Sequence, residues 1–378
     1  MDEQYTPIIS EAERLERRKQ RAAARRKKQL ARRRRLLIQY LPAAILVLAV
    51  LVSLIVWFVQ REPAAPETPP APPPSVPVQA IPEVLPPEPE LPFEAETTLS
   101  TVQLGESIDS SYAVLIDPEN GTIFAEKAAD TIISPASMTK VLTLLVAAEH
   151  LTEDDLDEMF TMTIDITDYC YVNGCSVVGL MVGEQVSIRE LLYGTILPSG
   201  ADASVGLATY VAGSHEAFVE LMNEKLEELG LSDTAHFTNC VGLYDEAHRC
   251  SIYDMALIMN AAMENELCRE ILNARTYETA PTGDHPEGQI LSNWFLRRIE
   301  DRFTRERMEK DGLTDNLDYF EKFQIVGGKT GYVTQAGSCA VSCGRNADGK
   351  LYICATGDAS SQWRAISDHT AIYQTYCD

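Results

Sequence analysis

Positive charge is scarce over most of this chain. Beyond residue 36, nineteen basic side chains stand against fifty-one acidic ones. Nucleic acid is therefore excluded as a partner of that portion, because a polyanion would meet repulsion there. Cysteine is absent until Cys170 and then recurs to the end, at Cys170, Cys175, Cys240, Cys250, Cys268, Cys339, Cys343, Cys354 and Cys377. That odd count leaves at least one thiol unpaired. Disulfides and buried free thiols both remain open, and Cys170 and Cys175 are close enough in sequence to close a short loop. No internal repeat is present.

Charge of either sign is missing from residues 36–59, where Gln39 is the one strongly polar side chain. At ~1.5 Å per residue, a helix of this length crosses a bilayer core of ~30 Å. The run is too long and starts too late for an ordinary signal peptide, and no clear small-residue cleavage site follows, so a retained transmembrane anchor in the lipid bilayer is expected. Residues 1–35 form a basic tail with thirteen Lys or Arg and five acidic residues. The cluster Arg32–Arg35 on one side, against Arg61 on the other, places the N-terminus in the cytoplasm and the bulk of the chain outside the cell membrane. Residues 60–98, rich in Pro and Glu and poor in aromatics, read as an extended linker. A folded domain over 99–378 remains, large enough for a core and an enclosed cleft.

That domain opens with a strand over 111–117, a turn over 118–121 and a partner strand over 122–126. Its middle is helical. Ser187 and Glu190 form a capping box, residues 202–211 are rich in small side chains, and 218–229 and 252–263 show amphipathic or buried helical patterns. Strands return over 323–332, 338–343 and 351–356, before a closing helix over 362–376. The two ends of the domain should therefore share one sheet.

The stretch around which the domain is organised is Ser134-Pro-Ala-Ser-Met-Thr-Lys140, followed by the apolar run 141–148. Pro135 suits the first turn of a helix, and Ser137 and Lys140, three apart, emerge on one face. A buried lysine loses its proton readily and can then accept one from a serine hydroxyl, which is otherwise a weak nucleophile. Two later segments complete a set: Ser199-Gly-Ala201 and Val326-Gly-Gly-Lys-Thr-Gly-Tyr332. A phosphate loop is excluded for the second, since the Gly-x-x-x-x spacing before Gly-Lys-Thr is missing. His236, Cys240, His248 and Cys250 are the one grouping of His and Cys, and their spacing fits no common zinc pattern, so no metal or other cofactor is expected.

In this order the three motifs are those of penicillin-binding proteins and serine β-lactamases. From about residue 98 onward the chain closely resembles serine-type D-alanyl-D-alanine carboxypeptidases, including the segment from Ala235 to Leu243. The resemblance implies an α/β (α+β) fold, with a five-stranded antiparallel sheet flanked by helices and a mainly helical subdomain. It also implies Ser137 as nucleophile, Lys140 as general base and Ser199 as proton relay. Lys329 and Thr330 would hold the substrate carboxylate, Gly331 would allow close backbone approach, and the backbone N–H groups of Ser137 and Tyr332 would form the oxyanion hole. The implied substrate is a peptidoglycan stem peptide, trimmed of its terminal D-alanine, with β-lactams as inhibitors. The family's middle motif usually ends in Asn where this chain has Ala201, which should loosen substrate orientation, and Val333 stands where relatives commonly have Thr. Ala201 keeps open a low-activity binder or sensor of peptidoglycan or β-lactams. A serine β-lactamase is the other alternative, although the usual Glu-bearing loop is not recognisable.

Overall fold

A computed structural model describes residues 92–300, 310 and 323–377. The basic tail, the apolar run 36–59 and most of the linker lie outside the described residues. Among the described residues, no helix is long and apolar enough to cross a membrane.

Six strands of the described residues form the main sheet: β1 (Glu96–Gln103), β2 (Tyr112–Asp117), β3 (Thr122–Lys127), β4 (Phe323–Val333), β5 (Gly337–Asn346) and β6 (Leu351–Ala359), in the order β1-β3-β2-β6-β5-β4. From β3 to β4 every pairing is antiparallel, and β6 joins β2 through pairs such as Ile353 with Ile116, so the two ends of the domain do share one sheet. The five-stranded expectation needs a correction. β1 adds a sixth strand, parallel to β3, and begins inside the stretch read as linker. Its side chains are almost all exposed, so the inward–outward alternation that betrays a strand is missing from its sequence.

The α-helices of the described residues are, in chain order, α1 (Lys140–His150), α2 (Ile164–Asn173), α3 (Ile188–Ile196), α4 (Ala201–Ala212), α5 (His215–Glu228), α6 (Ile252–Glu264), α7 (Glu266–Asn273), α8 (Trp294–Glu300) and α9 (Gln362–Tyr376). The α3 cap is as expected: Glu190 N donates to Ser187 Oγ at 3.2 Å, and Ser187 N donates back to the Glu190 carboxylate at 2.8 Å. Each partner thereby satisfies an amide that the first helical turn leaves open. Buried residues run unbroken through α1 from Lys140 to Ala148. Each fully buried Leu or Val there contributes about 1.5–3 kcal/mol. This is a helix enclosed on all sides by its neighbours, and Lys140 is carried into the interior with it.

On the opposite face, α9 is bound to the sheet by polar contacts. Asp368 accepts from Ser110 N at 2.7 Å, Ser110 Oγ at 2.6 Å and Asp109 N at 3.0 Å. His369 lies between Ser342 Oγ (2.7 Å) and Thr356 Oγ1 (3.0 Å), and burial depresses its pKa to about 3, so it stays neutral.

Candidate active site

Ser137 sits in a single 3-10 turn, Ala136–Thr139, and Lys140 is the first residue of α1. The helix therefore opens one residue after the motif's threonine. The tighter turn still stacks positions three apart. Lys140 Nζ accordingly lies 3.2 Å from Ser137 Oγ. The same amine donates to the carbonyl of Val241 at 2.6 Å. Lys140 is 2% exposed, and desolvation lowers its pKa from 10.5 to about 8, partly offset by negative charge at neighbouring groups.

The residues before Ser137 are under close confinement. Ala136 has φ +47°, an uncommon backbone for a residue with a side chain. On one side is Gly242, where a Cβ would lie 1.9 Å from Ala136 O. On the other is Gly331 of β4, where a Cβ would approach Pro135 O at 3.0 Å and Ser137 N at 3.1 Å. The missing side chain of Gly331 leaves room for β4 to approach the Ser137 turn. That approach brings edge strand β4, and with it the segment Lys329–Tyr332, against the Ser137 turn.

The loop that receives Lys140 is itself fixed. Asn239 Oδ1 accepts from the amides of Val241 (3.2 Å), Gly242 (2.7 Å) and Leu243 (3.0 Å). Thr143 Oγ1 donates to Cys240 O at 2.7 Å, and Cys240 N donates to His215 Nε2 at 3.0 Å. His248 accepts at Nδ1 from Thr238 N (3.0 Å), so its proton is on Nε2 and is donated to Thr139 Oγ1 (2.8 Å). Burial depresses the His248 pKa to about 4, and the neutral ring spans the motif turn and this loop. His236 is different: its side chain is exposed, and its backbone pairs with Arg249. Among the described residues there is no group of three or more His, Cys, Asp or Glu able to hold a metal.

Ser199 has φ +62°, and its hydroxyl is buried without a hydrogen-bond partner. Such an orphaned hydroxyl is uncommon in a buried setting. The segment after it is held by Asp202. Its carboxylate accepts from the amides of Val178 (2.8 Å), Gly179 (2.9 Å) and Leu180 (3.1 Å), tying residues 178–180 to the start of α4. Lys329 is buried, and its amine donates to Thr330 O at 2.8 Å. Desolvation, reinforced by Lys140, puts the Lys329 pKa well below the usual lysine value. Tyr332 is 57% exposed at the mouth. Ser137, Lys140, Cys175, Ser176, Ala201, Val241 and Tyr332 line a cleft of about 490 Å³. Ser199, Lys329, Thr330 and Gly331 are not among its lining residues, although Gly331 reaches the Ser137 turn and Lys329 is close enough to Lys140 to feel its charge. Cys170 and Cys175 do not close a loop by a disulfide. They are separate thiols joined by a hydrogen bond, which pushes Cys170 up and Cys175 down.

The motif spacing singles out Ser137, Lys140, Ser199 and the β4 residues, of which the structure brings Ser137 and Lys140 within 3.2 Å. It did not show Asn239, the Val241 carbonyl or the role of Asp202, because each acts through backbone amides and carbonyls that no side-chain pattern announces.

The family described as D-alanyl-D-alanine carboxypeptidase matches residues 97–359, and the chain belongs to it. The carboxypeptidase DacF of Bacillus subtilis is 32% identical over 233 residues, which cover 61% of this chain and 53% of that protein. DacC of Escherichia coli is 36% identical over 186 residues, 47% of this chain and 46% of its own. The chain spans about half the length of these relatives. Among solved structures, the Streptomyces DD-transpeptidase superposes with a TM-score of 0.58 at 27% identity, covering 71% of this chain and 96% of that one.

Asp202→Ala should leave four amides, those of Val178, Gly179, Leu180 and Ala203, without their acceptor and lower stability by about 3 kcal/mol. Hydrogen exchange at Val178–Leu180 should accelerate selectively. Unchanged protection there would remove Asp202 from this positioning role.

Proposed function

We propose that the chain is a serine D-alanyl-D-alanine carboxypeptidase acting on peptidoglycan stem peptides. The observation that carries this reading is the Ser137–Lys140 pair at 3.2 Å, with the amine desolvated and its pKa lowered to about 8. Neutral Lys140 takes the proton of Ser137 as Oγ attacks the carbonyl between the last two D-alanines. Oxyanion charge is received by the backbone N–H groups of Ser137 and Tyr332. Collapse expels D-alanine, whose nitrogen is protonated through Ser199, and water then hydrolyses the ester.

The two lysines divide the labour. Both are buried and Lys140 disfavours charge on Lys329, so the incoming carboxylate decides where a proton sits. It stabilises the ammonium form of Lys329 and leaves Lys140 neutral as base. Thr330 supplies a hydroxyl to the same carboxylate. A β-lactam presents an equivalent carbonyl and carboxylate and should acylate Ser137.

A second reading rests on Ala201, which lines the cleft where the family carries a carboxamide. With no side-chain amide to hold the substrate backbone, the protein would bind and acylate slowly, as a sensor of peptidoglycan or β-lactam.

The domain is placed by this reading outside the cell membrane, on a single-pass anchor at residues 36–59 with the N-terminus cytoplasmic. The uncharged run and its one-sided arginine flank support that topology. Deleting 36–59 should release the protein from membranes in alkaline carbonate. Retention of the deleted form on the membrane would exclude this segment as the anchor.

D-alanine release from a diacetyl-Lys-D-Ala-D-Ala peptide should be abolished by Ser137→Ala. In the parent, kcat/KM should rise about tenfold per pH unit at low pH, as Lys140 loses its proton, and level near pH 8. Labelled penicillin bound at Ser137 without D-alanine release would favour the sensor. Absence of both would refute the enzymatic reading.

A further inference from the structure

A second cavity, of about 500 Å³, lies across a thin wall from the cleft. Trp294, Arg297 and Arg298 of α8 and Trp363 of α9 line it, with Val178 and Pro198 on the side of the catalytic serine. The wall is the chain already described. Ser176 lines the cleft and Val178 the second cavity, while Pro198 immediately precedes Ser199. Trp294 N also donates to Leu197 O at 3.4 Å, fixing α8 to this wall.

The chemistry of the cavity departs from the rest of the chain, whose formal net charge is −24. Arg298 lies over both indoles, 5.1 Å from the Trp294 ring and 5.6 Å from that of Trp363, and hydrogen-bonds Gln362. The cation is held there by the negative faces of the rings. Arg297 is exposed and donates to Ser292 Oγ at 3.1 Å. Among the described residues, neither guanidinium is paired with a carboxylate. Trp294 is 53% exposed. A flat apolar ring beside guanidinium groups that no described carboxylate pairs suits a ligand with an apolar face of C–H bonds and a nearby carboxylate. A sugar ring carrying a short acidic peptide has both.

We infer that this cavity is a saccharide subsite that binds the amino-sugar and first peptide residues of the polymer from which the stem peptide hangs. The inference rests on the carboxypeptidase reading for the identity of the polymer. The pyranose would lie on Trp294, a free side carboxylate among the first peptide residues would meet Arg297 and Arg298, and the stem would cross the Ser176–Val178 wall to Ser137. Guanidinium binding of carboxylate is directional and fixes the orientation of the junction.

The test is tryptophan fluorescence of the full chain in detergent. Two of its three tryptophans line this cavity. Muramyl dipeptide, which has no D-Ala-D-Ala, should quench the emission saturably. The dipeptide alone, N-acetylglucosamine and inorganic phosphate should each bind at least about tenfold more weakly, since each offers one half of the recognition. Arg297→Ala should weaken muramyl dipeptide by about tenfold, and Trp294→Ala should remove the binding. Both variants should release D-alanine from the short diacetyl peptide as the parent does, but more slowly from glycan-linked pentapeptide. Equal binding of phosphate or of the bare dipeptide would reduce the cavity to a general anion site and overturn the inference, as would absence of quenching. Failure of the carboxypeptidase reading would appear separately, as no release from the short peptide by the parent.

Discussion

Burial of two lysines beside one serine is the constraint on which the site depends. In water, Lys140 would hold its proton and Ser137 would remain a weak nucleophile. Enclosure of α1 on all sides removes that solvent and brings the amine towards neutrality near pH 8. The contact of Gly331 with the Ser137 turn then sets strand β4, which carries Lys329, against the same centre. Neither lysine could be displaced to the surface without undoing the packing of α1 or the edge of the sheet.

Around this pair the fold uses backbone hydrogen bonds as its positioning device. Asn239 gathers three amides so that the Val241 carbonyl meets Lys140, and Asp202 gathers three others to set the wall behind Ser199. Each carries the precision of the site on a buried acceptor rather than on contacts between catalytic side chains. Most cations in the domain lie in a strongly acidic setting. The arginines beside the second cavity are therefore local inversions of the field of a chain whose formal net charge is −24.

Much of this was legible in the sequence, because the features concerned are local. Ser137 and Lys140 are three apart, the Ser187–Glu190 cap spans the same short interval, and the strands from β2 onward with helices α1, α3 to α6 and α9 follow their sequence patterns, whereas α2, α7 and α8 are not among the helices expected from the sequence. What escaped was long-range or unpatterned. β1 exposes nearly every side chain and so lacks an alternation to read. Asp202 looks like an ordinary polar residue until folding brings its carboxylate to the amides of Val178, Gly179 and Leu180, and Asn239 gathers the amides just after it without any side-chain pattern to announce it. The 3-10 geometry at Ser137 depends on Gly242 and Gly331, which come from segments far apart in the chain.

The central claim is that enclosure makes Lys140 a base near neutrality. It is tested most directly by titrating that side chain through the ε-methylene resonance of isotopically labelled lysine, assigned by its loss in Lys140→Gln. The account requires a midpoint of about 8. A midpoint at the ordinary lysine value of 10.5 would contradict it, since Lys140 would then remain charged and could not accept the proton of Ser137.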